Sequence, residues 1–418
     1  MRRMTAPWFY GWNIVAVAIW FQAIVMGVTF YSFTMWAPEW AAEFDAPLRQ
    51  VMLIFLAMVV TVGLVNPFLG REMDRRSIRS LICLGAALMA LGFLLISRAS
   101  ALWQVVAVYA TLISMGMALA GPLSAQTLAV KWFRARRSFA IGLTTTGTSL
   151  GGLLLPPLIT YLFLTYGWRV THQIIGVGII LLVLPLVWRT VRNRPEDLNL
   201  APEAESDLTV GESEPPVFPE WSTRSVLRER NFWVVMLSVI PFTICFTAIQ
   251  QNLKPYASEL GVATQDASYL VSIMAVSMIG GKLFFARQAD YRDHRFLYVT
   301  AVGILVASMA LMLTHPGYRG LMVVSCLLGI ASGAILPLQG AIISSRFGPA
   351  SFGRVMGLFG PAFIVTAAGP YLMAVIRDVS GSYDSPVLIL LAVAVAGSVP
   401  MLLLKPIPKH ARVKETPC

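Results

Sequence analysis

Long stretches without charged side chains recur along the chain and predict membrane-spanning helices. Each has at least 18 residues and no Asp, Glu, Lys or Arg, which suffices for a helix to cross a hydrocarbon layer of about 30 Å. Membrane strands are excluded, because they need only about 10 residues and alternate in polarity. The stretches are 4–38, 50–70, 80–97, 99–130, 138–168, 170–188, 231–253, 296–318, 320–345, 355–376 and 385–404. A twelfth, 267–289, is equally apolar except for Lys282 and Arg287. We therefore predict an all-α membrane protein with twelve transmembrane helices.

The gaps between these helices are short, with one exception. Turn-forming residues such as Pro47, Gly167 and Gly381 occupy short gaps. The long gap, 190–230, is rich in Pro, Glu and Ser and is typical of a solvated linker. It divides the helices six and six. The predicted domains are an N-terminal six-helix bundle at 1–189, a cytoplasmic linker at 190–230, a C-terminal six-helix bundle at 231–404 and a cytoplasmic tail at 405–418.

Composition and charge narrow the class of protein. Hydrophobic residues make up 57% of the 418 residues and charged residues 13%, whereas soluble domains carry roughly 25% charged residues. This excludes an ordinary water-soluble enzyme and a disordered protein. If the N-terminus is cytoplasmic, 25 of the 32 Lys and Arg lie on the cytoplasmic side, six lie opposite, and Lys282 remains. The positive-inside rule then places both termini in the cytoplasm of a multi-pass protein of the inner (plasma) membrane.

The basic loops account for the net charge of +11 through membrane topology and contact with lipid headgroups. No nucleic-acid partner is needed to explain this charge. The four cysteines have no spacing typical of a metal site or disulfide, and we expect no metal and no cofactor.

The two halves of the chain resemble each other. The sequence at 70–75, Gly-Arg-Glu-Met-Asp-Arg, is matched at 286–291 by Ala-Arg-Gln-Ala-Asp-Tyr, an offset of 216 residues. Tandem six-helix halves indicate two pseudo-symmetric bundles, with a transport pathway between them near the middle of the membrane.

The sequence at 70–75 resembles the loop signature Gly-x-x-x-Asp-Arg of the major facilitator superfamily, although Ser77 stands where that family usually has a second glycine. The Tyr-Gly-Trp at 10–12, the Tyr-Ser-Phe at 31–33 and the Lys-Trp-Phe at 131–133 are similar to motifs of its monocarboxylate and oxalate/formate carrier branch. The resemblance covers the whole chain. It implies the major facilitator fold and alternating access by rocking of the two bundles, usually in a monomer.

Gating residues are expected in the loops that carry these motifs. Asp74 can accept charge-assisted hydrogen bonds from a neighbouring helix end, and Asp290 can do the same in the other half. Alternatively, Asp74 only caps a short loop. The candidates for gating are Asp74, Arg75, Asp290, Arg71 and Arg136.

Lys282 is the strongest candidate for binding substrate. It precedes Asp290 by eight residues, so it lies roughly 12 Å inside the membrane border. A charge at a helix centre costs about 2.5–3.5 kcal/mol and is a functional candidate by default. Related carboxylate carriers place an Arg here, and a Lys offers a point charge instead of a bidentate fork. The alternative is a structural charge bonded to a helix end.

The spans contain no Asp or Glu, which argues against a cationic substrate and against proton coupling through a protein carboxylate. A proton carried on the substrate and anion exchange both remain open. Further substrate-binding candidates are polar residues that could equally form interhelical hydrogen bonds; they are Tyr31, Asn252, Gln251, Gln126, Gln339 and Asn66.

Four structural expectations complete the prediction. Segment 7 should break at Pro255, because proline lacks a backbone donor. His172 is expected at the membrane interface, and tryptophans near the span ends, such as Trp36, Trp40 and Trp168, in aromatic belts. The pairs Gly147/Gly151 and Gly329/Gly333 are expected to allow close helix packing.

The predicted function is secondary transport of a small organic anion, with a monocarboxylate as substrate, by proton symport or anion exchange. The alternative is a major facilitator permease or exporter for another neutral or anionic solute. A membrane enzyme is not supported, because the sequence has no cluster of metal ligands and no nucleotide-binding loop.

Overall fold

The computed structural model describes residues 9–134, 136–198, 200 and 220–405. Most of the predicted linker, at 201–219, and the predicted tail from 406 onward lie outside the described residues. Regular structure in the described part is helical. In the first half it comprises α1 (Gly11–Met26), α2 (Phe33–Glu43), α3 (Leu48–Arg75), α4 (Ile78–Ile96), α5 (Leu102–Val108), α6 (Ser114–Ala120), α7 (Pro122–Trp132), α8 (Arg137–Leu182) and α9 (Leu184–Thr190).

The second half continues this pattern. It comprises α10 (Thr223–Arg228), α11 (Arg230–Glu259), α12 (Thr264–Ala289), α13 (His294–Met312), α14 (Tyr318–Phe347), α15 (Phe352–Gly357), α16 (Gly360–Thr366), α17 (Ala368–Ser380) and α18 (Asp384–Leu402). Short π-helical turns at Gly27–Tyr31 and Tyr109–Ile113 and 3₁₀ turns at Pro195–Leu198 and Pro349–Ser351 connect some of them.

Eleven helical stretches of the described residues are long and apolar enough to cross a membrane, judged by length and composition. One of them, Arg137–Thr190, has 54 residues, about twice the length needed for one crossing. Its helix is interrupted at Gly167, where φ is 74°, a conformation that favours glycine. This stretch therefore provides two passes. Tyr269–Ala289, the segment with Lys282, is among the eleven. The prediction of an all-α protein with twelve spans is confirmed.

Segment 7 does not break at Pro255, so this expectation is wrong. Helix α11 runs from Arg230 through Pro255 to Glu259. Proline removes the hydrogen bond to the carbonyl of Gln251, but the bonds before and after it remain. Membrane helices tolerate proline where neighbouring groups or water satisfy the freed carbonyl.

The described contacts divide the chain into two compact units. Unit 1 comprises Met1–Glu220 with Phe347–Gly360, and unit 2 comprises Trp221–Arg346 with Pro361–Cys418. In unit 1, α1 packs against α8 through glycines. A Cβ on Gly147 would lie 2.5 Å from the carbonyl oxygen of Ile19. A Cβ on Gly151 would overlap the carbonyl oxygen of Ala23. The predicted close packing at this glycine pair is confirmed.

Unit 2 has a corresponding contact between α12 and α14. A Cβ on Gly333 would lie 2.5 Å from the carbonyl oxygen of Met278. A Cβ on Gly329 would overlap the carbonyl oxygen of Met274. Only a residue without a Cβ allows the two backbones to approach so closely. The second predicted glycine pair is therefore confirmed as well.

The aromatic belt and the interfacial histidine are wrong for one cluster of unit 1. His172, Trp36, Trp40 and Trp168 are all buried, with at most 4% of each side chain exposed. The His172 ring lies 4.4 Å from the Trp36 ring, centroid to centroid, and its Nδ1 lies 2.7 Å from the carbonyl oxygen of Trp168. Trp36 and Trp40 are four residues apart on α2, so they share one helix face, and this face points into the unit.

The glycine contact between α1 and α8 predicts a selective effect of adding one methyl group. We expect Gly147→Ala to lower the unfolding temperature in detergent, because the Ile19 carbonyl must move, and overpacking costs about 1–3 kcal/mol. Gly178→Ala is the matched control on α8, since nothing lies within 4 Å of a Cβ at that position. It should leave the unfolding temperature unchanged or raise it. Equal effects of the two substitutions would contradict this account of the packing.

Candidate functional site

Lys282 lies on α12 of unit 2 with only 2% of its surface exposed. It precedes the last residue of α12, Ala289, by seven positions, which corresponds to roughly 10 Å along the helix. Arg287, five positions further on the same helix, is exposed. The sequence analysis distinguished these two cations correctly. Arg287 lies near the helix end and its side chain can reach the membrane border, whereas Lys282 lies too deep to do so and is buried inside the protein.

Backbone packing fixes the position of Lys282. A Cβ on the preceding residue, Gly281, would lie 2.5 Å from the carbonyl oxygen of Ile330 on α14. From the other side, a Cβ on Gly333 would lie 2.7 Å from the backbone nitrogen of Lys282. Helices α12 and α14 thus touch at the lysine itself. Gly280 has a different surrounding, since nothing lies within 4 Å of a Cβ at that position.

Carboxylates stay at the ends of the described spans. Asp and Glu occur there only in the first or last turn of a helical stretch, for example Asp74 in α3 and Asp384 in α18. The interior of the described spans therefore has a positive charge on α12 and no carboxylate. This arrangement can attract an anion and cannot neutralise a cation.

The other polar candidates of unit 2 differ in their surroundings. Asn252 is buried, and its Nδ2 donates to the carbonyl oxygens of Ala248 at 2.9 Å and Pro370 at 3.3 Å. Its amide therefore already links α11 to α17. Gln251 is exposed on α11. Gln339 on α14 is 1% exposed, and neither side-chain polar atom forms a hydrogen bond within the described part of the chain.

Gln339 and Lys282 lie on touching helices. Gln339 follows Gly333 by six residues, which places it roughly 9 Å along α14 from the level of Lys282. A buried amide without a protein partner requires another hydrogen-bonding group. Gln339 is thus a polar group of unit 2 that a ligand or water can satisfy.

Unit 1 holds the remaining substrate-binding candidates. Gln126 on α7 is 1% exposed, and its Oε1 accepts no hydrogen bond from a described residue. The same is true of the buried Oδ1 of Asn66 on α3. Tyr31 ends the π-helical turn Gly27–Tyr31, and its ring atoms would lie 3.0 Å from a Cβ on Gly152. The absence of a Cβ at Gly152 makes room for this ring.

Sequence reasoning missed the π-helical turn at Tyr31. Such turns are rare and frequently occur at functional sites. The apolar composition of residues 27–31 gave no signal for it, since the widening of one helical turn leaves the hydrophobic pattern unchanged.

The predicted hydrogen bonds to Asp74 are present in unit 1. Oδ1 of Asp74 accepts the backbone N–H of Gly353 at 2.9 Å, and Oδ2 accepts that of Arg354 at 2.8 Å. Both amides belong to the start of α15. Glycine is needed at position 353, because its Cα side faces the carboxylate: a Cβ there would lie 2.7 Å from Oδ1.

Lys131 is a second residue at this contact, and the sequence analysis did not include it among the gating candidates. Its Nζ donates to the carbonyl oxygen of Met73 at 2.9 Å, next to Asp74 in the chain. The Lys-Trp-Phe motif at 131–133 was the signal that could have identified it. Lys131 thus places a positive charge beside the carboxylate and holds the end of α3 to α7.

Three of the other gating candidates are exposed, and the fourth lies in unit 2. Arg71, Arg75 and Arg136 are exposed, and Arg136 lies at the start of α8. Asp290 follows the last residue of α12 in unit 2 and so occupies the position that corresponds to the end of α3 in the repeat. Asp74 is the gating candidate with two hydrogen bonds to the start of α15.

These contacts predict the effect of Asp74→Asn on the start of α15. The amide keeps one acceptor oxygen but places an NH₂ donor opposite a backbone N–H. Since a hydrogen bond to a charged group contributes about 1.5–3 kcal/mol, we expect hydrogen–deuterium exchange of residues 352–357 to accelerate by roughly tenfold or more.

Glu72→Gln is the matched control, because Glu72 also lies in the last turn of α3 but pairs with Arg76 instead. Glu72→Gln should leave hydrogen–deuterium exchange of residues 352–357 unchanged. Unchanged exchange in Asp74→Asn would show that the two hydrogen bonds do not hold this segment.

Comparisons with known proteins agree with this architecture. The family model described as Major Facilitator Superfamily matches residues 19–363 and 256–417. Monocarboxylate transporter 13 of Bos taurus is 26% identical over 405 residues, which cover 93% of this chain and 88% of that protein. The agnestins efflux protein AgnL12 of Paecilomyces divaricatus is 28% identical over 289 residues, 68% of this chain and 61% of that protein.

A solved structure shows the same fold. A crystal structure of the E. coli fucose:proton symporter FucP, in a variant with one substitution, superimposes with a TM-score of 0.71 over 96% of this chain and 100% of that chain, at 17% sequence identity. At this identity the likeness concerns the fold and not the substrate.

Proposed function

The chain belongs to the Major Facilitator Superfamily, and on this premise we propose that it is a secondary transporter of a small organic anion, with monocarboxylates as the substrate class. Its relatives are transporters, so it is a multi-pass membrane protein that moves a small molecule and not an enzyme. The proposed mechanism is alternating access, by proton symport or anion exchange.

The buried charge of Lys282 is the observation that carries this proposal. Placing a cation inside a span costs about 2.5–3.5 kcal/mol, so its retention requires a compensating role. The glycine contacts on both sides hold its backbone in place and fix the depth of the positive charge on α12. We propose that this ammonium binds the substrate carboxylate. A compact point charge favours one carboxylate group over bidentate recognition.

Two further observations support an anionic substrate. No Asp or Glu lies in the interior of the described spans, so a cationic substrate would find no counter-charge there. The named relative with 93% coverage is a monocarboxylate transporter.

We propose secondary roles for the polar residues. Gln339, Gln126 and Asn66 have buried side-chain atoms without hydrogen bonds to described residues, so each can contribute a hydrogen bond to substrate or water. Tyr31 is proposed to contribute its ring at the π-helical turn. Asn252 already bonds to two carbonyls and would act by positioning α11 against α17, while the exposed Gln251 has the weakest support.

The proposed gate is the contact of Asp74 with Gly353 and Arg354, which would form and break during the transport cycle. Arg71, Arg75, Arg136 and Asp290 are proposed to act around it from the helix ends. The alternative, that Asp74 only stabilises a loop, predicts normal transport kinetics in Asp74→Asn.

Neutralising Lys282 tests the substrate assignment. In proteoliposomes, Lys282→Gln should reduce uptake of labelled lactate or pyruvate by at least about tenfold, because a hydrogen bond to a charged group is lost. Lys282→Arg should retain part of the uptake. Arg287→Gln is the matched control, since Arg287 lies on the same helix but is exposed, and it should transport normally.

A structural role for Lys282 would give a different result. In that case Lys282→Gln would lower the unfolding temperature, whereas carboxylates would still stabilise the folded variant in a thermal-shift assay. Normal lactate and pyruvate uptake by Lys282→Gln would contradict the anion proposal. Together with uptake of a larger or neutral solute, it would favour the alternative function of an exporter or permease, for which the efflux relative is the precedent.

Coupling can be measured separately from recognition. If a proton accompanies the substrate, an imposed gradient with acid outside the proteoliposomes should drive accumulation of labelled lactate above its equilibrium level. The described spans offer no interior carboxylate as proton carrier, so the proton would travel on the substrate. Counterflow that proceeds equally with and without the pH gradient would instead indicate exchange.

A further inference from the structure

An open groove of about 460 Å³ lies on unit 1 between α1 and α9. Tyr10, Asn13 and Ala16 line it on the side of α1, and Leu186, Arg189 and Thr190 line it on the side of α9. None of these residues takes part in the proposed substrate site or gate, and Lys282 belongs to unit 2.

Two hydrogen bonds join the helical segments on the two sides of the groove, one at the groove and one beyond it. At the end of the groove next to the helix ends, the Tyr10 hydroxyl donates to the carbonyl oxygen of Thr190 at 2.8 Å. About one helical turn beyond the lining residues Val17 and Leu186, Nε1 of Trp20 donates to the carbonyl oxygen of Leu182 at 3.2 Å. Thr190 and Leu182 are eight residues apart, so the two bonds are separated by roughly 12 Å along the helices.

The polarity of the groove changes along this length. Asn13 and Arg189 lie near the helix ends, where the apolar span Arg137–Thr190 finishes. One turn deeper, the lining residues Ala16 and Leu186 are apolar and exposed. The groove is thus polar and cationic at the membrane border and apolar inside, as a lipid molecule is polar at its headgroup and apolar along its chains.

The polar end has unused hydrogen-bonding capacity. Within the described part of the chain, the Arg189 guanidinium and the Asn13 side-chain amide form no hydrogen bond or ion pair with other side chains or with backbone. No Asp or Glu lines the groove. An arginine at the border of the hydrocarbon region matches the geometry of a phosphate group, to which it can donate two parallel hydrogen bonds.

We propose that this groove is a binding site for one anionic phospholipid, with the phosphate at Arg189 and Asn13 and an acyl chain along Ala16 and Leu186. The apolar half distinguishes a lipid from a free anion, which would gain nothing from it. The lack of a lining carboxylate distinguishes an anionic lipid from a zwitterionic one, whose headgroup cation would find no partner. The cytoplasmic leaflet, where the basic helix ends are predicted to lie, is rich in anionic lipid.

Tryptophan fluorescence tests this proposal on the full chain in neutral detergent. Trp20 is 44% exposed and lies about one helical turn beyond the lining residue Val17, so an acyl chain that continues along the groove should bring its bromine atoms close enough to quench it. Brominated phosphatidylglycerol should quench at a concentration about fivefold or more below that required for brominated phosphatidylcholine. Trp20→Phe should remove the sensitive component of the signal.

Arginine variants locate the headgroup. Arg189→Gln should abolish the preference for phosphatidylglycerol, whereas Arg189→Lys should keep most of it. Arg292→Gln, which removes an exposed arginine in unit 2, should leave the preference unchanged.

Three results would overturn the proposal. Equal quenching of the unmodified protein by the two lipids would show that the acyl chains alone determine binding and that the headgroup is not recognised. Equal losses in Arg189→Gln and Arg292→Gln would show that net charge alone attracts the lipid. Displacement of the brominated lipid by glycerol phosphate at a comparable concentration would identify a site for a free anion.

Discussion

The structure depends on close backbone contact between helices within a medium that does not drive apolar surfaces together. Lipid tails are as apolar as leucine, so helices in a bilayer associate through packing and hydrogen bonds. Here that packing rests on glycines: Gly147 and Gly151 against α1 in unit 1, and Gly329 and Gly333 against α12 in unit 2. The candidate site uses the same contacts, because Gly281 and Gly333 flank Lys282, and Gly152 accommodates Tyr31. Helix packing and the proposed substrate site therefore share a small set of positions.

The elements that lipid constrains most strongly could be predicted from the sequence. Span number, the break at Gly167, the glycine pairs and the burial of Lys282 follow from hydrocarbon thickness, turn chemistry and the cost of charge. Which face of each helix is buried could not be predicted in the same way. A helix that is apolar all round shows no polar stripe to mark the face exposed to lipid. Trp36, Trp40 and His172 were assigned to the interface because they lie near the span ends, although they are buried inside unit 1.

The polar candidates show the same limit at the level of single side chains. Asn252 and Gln339 were equivalent in the sequence, each an amide in an apolar span. The structure separates them, because Asn252 bonds to carbonyls of α11 and α17 whereas both polar atoms of Gln339 lack a hydrogen bond to any described residue. Partners of this kind come from helices distant in sequence, and no local pattern reports them. The continuation of α11 through Pro255 has a similar origin, because the groups around the freed carbonyl, and not the proline alone, decide whether a membrane helix continues.

The contact of Asp74 shows why only one of two interacting segments can be recognised in a sequence. Asp74 belongs to a recognisable motif, whereas the segment that binds it has no motif of its own. The two oxygens of Asp74 accept backbone amides of Gly353 and Arg354, so the partner contributes main chain and not a complementary charged side chain. The requirement on residue 353 is the absence of a Cβ, and residue 354 is constrained only through its backbone. A hydrogen bond of a carboxylate to neutral amides also acts over a shorter range than an ion pair, since it depends on direction and distance. Small displacements of the start of α15 can therefore break both bonds together, which is the property that a gate requires and a loosely oriented surface ion pair lacks.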